Sequence, residues 1–475
     1  MKKRAMTTLL SLTLLSGCSG SGAPQFKNVS VHDPSVIKVN NTYYVFGSHL
    51  ASAKSKDLIS WKQISSVVED GNKLIPNVTE ELSETFNWAK TDTLWAPDVI
   101  QLGDGKFYMY YNACKGDSPL SAMGIAVSNK IEGPYKDLGI ILKSGMAGAG
   151  SDGEIYDATE KPNVVDPDVF FDKEGKLWMV YGSYSGGIFI LELDPATGFP
   201  LPDQGYGKKL LGANHARIEG PYMLYSPETD YYYLFLSYGG LDTKGGYNIR
   251  VARSKNPDGP FEDSEGKAMI DAKGNPKKLF DDPFYAPYGV KLMGNFEFRN
   301  GDSEPAAIGE GYVSPGHNSA YYDEKSGQYY LIFHTRFHSR GEEHEVRVHQ
   351  MFMNEEGWPV VAPHRYSGEK IAAYTSEEVT GEYKYVNHGK DITARSVVSQ
   401  MIELTADGKI TGAVTGTWSL SGEHTAKLTV EGKEYSGVFL KEWNEAVNGN
   451  VMTFTALSKE GIAVWGSHVL TEPKE

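Results

Sequence analysis

Four residues in this sequence stand where chemistry could be done: Asp33, Asp166, Glu219 and His317. Each opens a run that reads as a β-hairpin. Asp33-Pro34-Ser35 leads through Asn40-Asn41 to Tyr43-Tyr44-Val45-Phe46, and Asp166-Pro167-Asp168 leads through Gly175 to Leu177-Trp178-Met179-Val180-Tyr181. Glu219-Gly220-Pro221-Tyr222 leads to Tyr232-Tyr233-Leu234-Phe235, and His317-Asn318-Ser319 leads to Tyr329-Tyr330-Leu331-Ile332-Phe333. Taken singly, Asp before Pro is ordinary turn chemistry, and a lone His is often a buried, hydrogen-bonded one. Three carboxylates at equivalent positions of a repeat are another matter, because carboxylates gathered in a cleft shift one another's pKa values. Cleaving a glycosidic bond needs one carboxylic acid to protonate the leaving oxygen and one carboxylate on the other face of the sugar.

The elements that must position these residues form a repeat. A fifth hairpin, Ala96-Pro97-Asp98 to Phe107-Tyr108-Met109-Tyr110-Tyr111, completes the set, and further strand follows each, as in Gly124–Ser128 and Ile249–Ser254. A repeated unit that cannot bury its own apolar faces stacks on its neighbours, and sheets of about four strands arranged radially make a propeller. The expected fold is therefore all-β: a five-bladed β-propeller over residues 26–370, followed by a small β-barrel over residues 375–475. The barrel rests on short alternating runs with hairpin cues at Asp407-Gly408 and Glu431-Gly432. Residues 77–90 read as a short helix between units, residues 144–160 as a surface loop, and residues 267–282 as an inserted loop outside the core.

A net charge of −15 with no basic block beyond the first four residues excludes nucleic acid and acidic glycans as bulk partners. A neutral substrate fits, as do 29 Tyr and 52 Gly in a turn-rich β protein with sugar-facing surfaces. Lys2-Lys3-Arg4, an apolar run and Leu15-Ser16-Gly17-Cys18 read as an export segment over residues 1–18 ending in a bacterial lipobox, and residues 19–25 read as a flexible tether. The expected protein is exported, either lipid-anchored through Cys18 at the cell surface or outer membrane, or secreted, and monomeric. Cys114 is then unpaired. The paired glycines at 186–187, 239–240 and 245–246 lack the strand–loop–helix setting of a phosphate loop.

His32-Asp33-Pro34-Ser35, Leu94-Trp95-Ala96-Pro97-Asp98, Asn163-Val164-Val165-Asp166-Pro167, Ile218-Glu219-Gly220-Pro221-Tyr222 and Pro315-Gly316-His317-Asn318-Ser319 together resemble glycoside hydrolase family 43, in particular its endo-arabinanases with an appended C-terminal barrel. The resemblance runs from about residue 32 to the end. It implies an inverting hydrolase of α-1,5-arabinan, a neutral plant cell-wall polysaccharide, with Asp33 as general base, Asp166 orienting and tuning the acid, and Glu219 as general acid. It also implies a calcium ion in the central channel on His317, although calcium prefers oxygen ligands. Asp168 is expected to point away from this group. Trp95 reads either as core or as a platform for a furanose ring, Ser183 as a substrate contact, and His32 as a partner of a sugar hydroxyl. Two alternatives stay open: an exo-acting arabinofuranosidase or xylosidase of the same fold, and a non-catalytic glycan-binding lipoprotein.

Overall fold

The structure, a computed structural model, describes residues 23–148, 155–300, 304 and 310–470. Cys18 and its lipobox lie outside the described residues. Blade one consists of Ser35–Val39, Thr42–Gly47, Ala51–Ser55 and Trp61–Ser65, each antiparallel to the next. Its first hairpin turns at Asn40-Asn41 with φ of 48° and 59°, the paired left-handed conformation that a two-residue loop demands and that asparagine tolerates. Blade two runs Asp98–Gln101, Phe107–Cys114, Ser121–Ser128, Lys136–Ser144; blade three runs Asp168–Phe171, Leu177–Tyr181, Ile188–Leu193, Lys208–Leu211. Blade four runs Ile218–Ser226, Tyr231–Tyr238, Asn248–Ser254, Val290–Met293, and the core of blade five is Glu310–Asp323, Gln328–Arg336, His344–Met353, Pro359–Val361. The first strands touch in succession, and the fifth returns to the first, closing the ring.

The apolar cores lie between blades rather than on the axis. Phe46 packs with Met109 between blades one and two, Tyr110 with Met179 between two and three, and Ile190 with Leu234 between three and four. Phe235 and Leu331 share a cluster between four and five, and Val45 and Ile332 another between five and one. Second strands are covered on both faces, which is why Phe107–Cys114 is buried throughout and reads as a continuous apolar run. The short helices Val78–Glu81 and Ser83–Ala89 fall where the sequence places one.

The C-terminal unit is a closed eight-stranded barrel, from Gly381–Asn387 through Gln400–Leu404 to Ala463–His468. Tyr383, Phe439 and Phe454 fill its interior, as expected for a barrel of this size.

Two expectations need correction. Residues 267–282 are not an excursion from the core: Met269 and Ala272 are fully buried in the cluster between blades three and four, and Asp282 pairs with Arg217. Nor do residues 375–475 form the barrel alone. Val397–Val398 leaves it and pairs in parallel with Phe296–Phe298, extending blade five to six strands. Two buried basic side chains hold this detour: Lys291 donates to the carbonyls of His388 and Asp391, and Arg250 to that of Lys390. Carbonyls bonded to side chains leave no periodic trace in sequence.

Candidate active site

The first strands of blades one, three, four and five begin with one backbone device. Asp33, Asp166, Gly220 and His317 all have left-handed φ, at 57°, 55°, 57° and 44°. Such a conformation is uncommon for residues other than glycine and is tolerated better by Asp than by most. Here it turns the chain at the mouth of the channel, immediately before or within the ladder of the first hairpin. Asp98, which opens blade two, is instead paired directly with Tyr110 in regular strand.

The resulting site is buried and asymmetric. Asp33 is held by Ser48, whose hydroxyl donates to Oδ2 at 2.5 Å, by His32 Nδ1 at 2.8 Å, and by His317 Nδ1 at 3.0 Å from Oδ1. Burial alone pushes its pKa up, but the charges and hydrogen bonds of His317 and His32 outweigh it and hold the carboxyl well below the usual range. Glu219 lies in the opposite regime. Burial pushes it up, and the opposing pull of His317 and of the hydroxyls of Ser183 and Tyr247 does not cancel that. Ser183 donates to Oε2 at 2.8 Å and Tyr247 to Oε1 at 2.9 Å. Asp166 is pushed up to about 7, mainly by burial and further by the charges of Glu219 and Asp33, against the pull of His317. Its Oδ2 accepts the Gly220 N–H at 3.3 Å, so it braces the backbone beside the acid.

His317 sits among the three carboxylates. Burial disfavours its charge, yet Asp33 and Asp166 raise it to about 9, so it is an imidazolium at neutral pH. Its own N–H on the backbone donates to Ser237 Oγ at 2.7 Å. Gly220 leaves room for the ring, since a Cβ there would lie 3.0 Å from its Cγ.

Asp168 stands one layer down. Its Oδ2 accepts the Met223 N–H at 2.7 Å, and Asp98 Oδ2 accepts the Val169 N–H at 2.9 Å while Ser35 donates to Oδ1. These two acids stitch neighbouring blades and are not joined to Asp33 or Glu219 by any hydrogen bond. Burial pushes Asp98 up to about 6 and Asp168 well above its ordinary value.

Of the remaining candidates, Ser183 is 5 % exposed and its hydroxyl is committed to Glu219. His32 is committed to Asp33 and stacks on His334 at 3.8 Å. Trp95 is half-buried, with its backbone N–H on the Asn112 carbonyl. Sequence reasoning missed Ser48, Tyr247 and His334. The Tyr247 signal was present in the paired glycines: Gly240 and Gly245 pack so closely that a Cβ on Gly245 would lie 2.0 Å from the Gly240 carbonyl, and this tight loop delivers Tyr247 to the channel. Gly316 leaves space for the same ring, which a Cβ would meet at 2.1 Å.

Among the described residues, one trio of potential metal-ligating atoms converges, on His32, Asp33 and His334. Within it His334 Nδ1 accepts the Asp33 backbone N–H at 3.1 Å, while the buried His334 Nε2 has no protein partner.

A propeller whose channel mouth gathers three buried carboxyls in different electrostatic settings, Asp33 held low and Asp166 and Glu219 pushed up, is the framework of a glycoside hydrolase. The comparisons agree: residues 26–283 match the model for glycosyl hydrolases family 43, and residues 363–466 match a C-terminal lipocalin-like domain that accompanies it. The chain belongs to glycosyl hydrolases family 43. It is 64 % identical to an extracellular endo-α-(1→5)-L-arabinanase of Bacillus subtilis, over 94 % of each chain, and 53 % identical to the extracellular endo-α-(1→5)-L-arabinanase of Thermotoga petrophila, over 98 % of this chain and 99 % of that one. A solved family 43 glycoside hydrolase from Bacillus licheniformis superposes with a TM-score of 0.91 at 67 % identity, covering 94 % of this chain and 99 % of the other.

Proposed function

We infer that this protein is an endo-α-1,5-L-arabinanase that hydrolyses internal bonds of arabinan with inversion. The observation that carries the reading is the opposition of two buried carboxyls on one channel, Asp33 held low and Glu219 held high, with no hydrogen bond between them. Asp33 takes a proton from a water whose oxygen bonds to the anomeric carbon. The glycosidic C–O bond breaks on the other side, and Glu219 delivers its proton to the departing oxygen. Asp166 braces the Gly220 backbone beside Glu219, and Ser183 and Tyr247 fix the direction of the carboxyl. The 64 % identity to an endo-acting relative favours internal cleavage over the exo alternative.

Debranched arabinan should yield short oligomers of mixed length, and NMR of the first product should show the anomeric configuration opposite to the substrate's. Release of monomer alone overturns the endo reading. A retained anomer overturns the single displacement.

The reading includes a calcium ion in the channel. Were the ion bound, His317 would be a neutral imidazole with its Nδ1–H on Asp33 and its Nε2 free to ligate, and water would complete the oxygen shell that calcium prefers. Two features support a polar guest: three carboxylates surround one imidazole, and Asn318 keeps both amide atoms buried without a protein partner. Bound there, the ion would supply positive charge that steadies Asp33 as a carboxylate. Exhaustive chelation should lower the rate and metal analysis should find one ion per chain; an ion-free protein of unchanged rate makes His317 the sole cation of the site. Export, with lipidation at Cys18, completes the proposal, and recovery of unlipidated protein in the medium would set the anchor aside.

A further inference from the structure

A second cavity lies far from the catalytic channel, where the outer edges of blades four and five meet the barrel wall. Its volume is about 740 Å³, within the range of small-molecule and oligosaccharide sites. Arg253 and Ser264 come from blade four and the segment after it, Trp358 from the last turn of blade five, and Trp418, Tyr435 and Ser436 from the barrel. Both domains therefore contribute walls.

Polar atoms buried on these walls without a protein partner include Arg253 Nε, Ser264 Oγ and Ser436 Oγ. Leaving such atoms unpaired costs about 1–3 kcal/mol each. Arg253 is rigidly held for the purpose. Its guanidinium lies 4.1 Å from the Trp358 ring centroid and 4.3 Å from that of Tyr231, and Nη1 donates to the carbonyls of Glu356 and Gly357 at 2.8 and 3.2 Å. Nε is left without a partner. The charges on the lining cancel: Glu355, Glu356 and Glu434 against Arg253, Lys427 and Lys459. Lys427 and Glu355 pair at 3.0 Å, joining the barrel to blade five at the rim. A site that has aromatic walls, fixed unpaired donors and hydroxyls, and no net charge suits neither an anion nor a purely apolar ligand. It suits a neutral polyhydroxylated one, whose ring faces pack on aromatics and whose hydroxyls both donate and accept.

We propose that this junction cavity is a second carbohydrate site that binds a linear α-1,5-arabino-oligosaccharide segment and so keeps the polymer on the enzyme between cleavages. The choice of sugar rests on the arabinan reading above. The test uses the full chain carrying Glu219→Gln, which does not consume the ligand, titrated calorimetrically with arabinohexaose. Two binding events are expected. Thr417→Trp, at an exposed barrel position on the cavity wall, should weaken one of them at least tenfold and leave the other intact. In the otherwise wild-type enzyme, Thr417→Trp should raise KM several-fold on polymeric arabinan and leave hydrolysis of a trisaccharide unchanged. A single event that Thr417→Trp does not alter, or two events both insensitive to it, overturns the second site while the substrate reading stands. Absence of any binding overturns the substrate reading together with it.

Discussion

The propeller channel and the C-terminal barrel are both closed rings of strands, and they fill their centres in opposite ways. The barrel axis holds Tyr383, Phe439 and Phe454, because a closed eight-stranded sheet has no other place to put a core. The propeller places its apolar cores between blades, so its axis is not needed for cohesion. It can therefore carry Asp33, Asp98, Asp166, Asp168, Glu219 and His317, a set of ionisable groups that would unfold a small barrel. Burying ionisable groups is costly unless they are paired, hydrogen-bonded or neutralised by a proton. All three devices occur here: Asp33 is paired, Asp98 is hydrogen-bonded, and Glu219 tends to keep its proton. The division of labour is stability between the blades and chemistry on the axis.

The largest effect expected from this contrast is on the axis. Glu219→Gln should lower the rate on arabinan by about 10²–10⁴ while the melting temperature holds or rises, since general acid catalysis is worth that much and no apolar core is touched. Near-normal hydrolysis would remove Glu219 from the role, and a large loss of stability would break the claim that the axis is dispensable for cohesion.

The converse experiment lies at the domain junction. Trp465 is fully buried and points from the barrel into the cluster shared by blades four and five, 5.1 Å from the Phe296 ring and 4.3 Å from that of His388. Trp465→Ala should cost about 3–5 kcal/mol in denaturant unfolding, with kcat of the folded fraction nearly unchanged. A proportionate fall in kcat would show that the barrel reaches the channel after all.

The smallest effect sharpens the asymmetry between the two carboxyls. Tyr247 donates to Glu219 and so favours its ionised form, lowering a pKa that burial has raised. In Tyr247→Phe the acid should hold its proton to higher pH, and the alkaline limb of the pH–rate profile should move up. The acid limb, set by Asp33 well below the ordinary carboxylate range, should stay. The rate at the optimum should fall about tenfold through a less well directed carboxyl, the scale of one hydrogen bond to a charged group. An alkaline limb that moves down, or does not move, would place the titration elsewhere.

Asp33, Asp166, Glu219 and His317 were legible in sequence because a repeat assigns equivalent positions without knowledge of contacts, and runs such as Phe107–Tyr111 announced strands covered on both faces. The five blades and the barrel followed from the same periodicities. Tyr247, Ser48 and His334 were not legible: each reaches the site from a loop or a later strand, with no fixed spacing from its partner. The same holds for Val397–Val398, whose place in blade five depends on a parallel pairing about 100 residues away in sequence, an order of separation that local pattern does not encode.

By itself, then, the sequence determined that Asp33, Asp166, Glu219 and His317 would take equivalent places about an axis and that three of these four would be carboxylates. Residue type and repeat phase suffice for that, because side-chain alternation and turn chemistry are local. Only the tertiary structure decided that Asp33 is held low and Glu219 high, the difference on which the proposed roles of base and acid rest. Asp33 and Glu219 are both buried and both acidic, and what separates them is direct contact with imidazoles: His317 and His32 pair with Asp33 beside the Ser48 hydroxyl, whereas Glu219 feels His317 through its charge and is hydrogen-bonded by Ser183 and Tyr247. Two imidazoles in hydrogen-bond contact favour the charged carboxylate strongly enough to overcome burial, whereas the charge of one imidazole with two neutral hydroxyls does not, and that difference arises only when distant strands are brought within about 3 Å of one another.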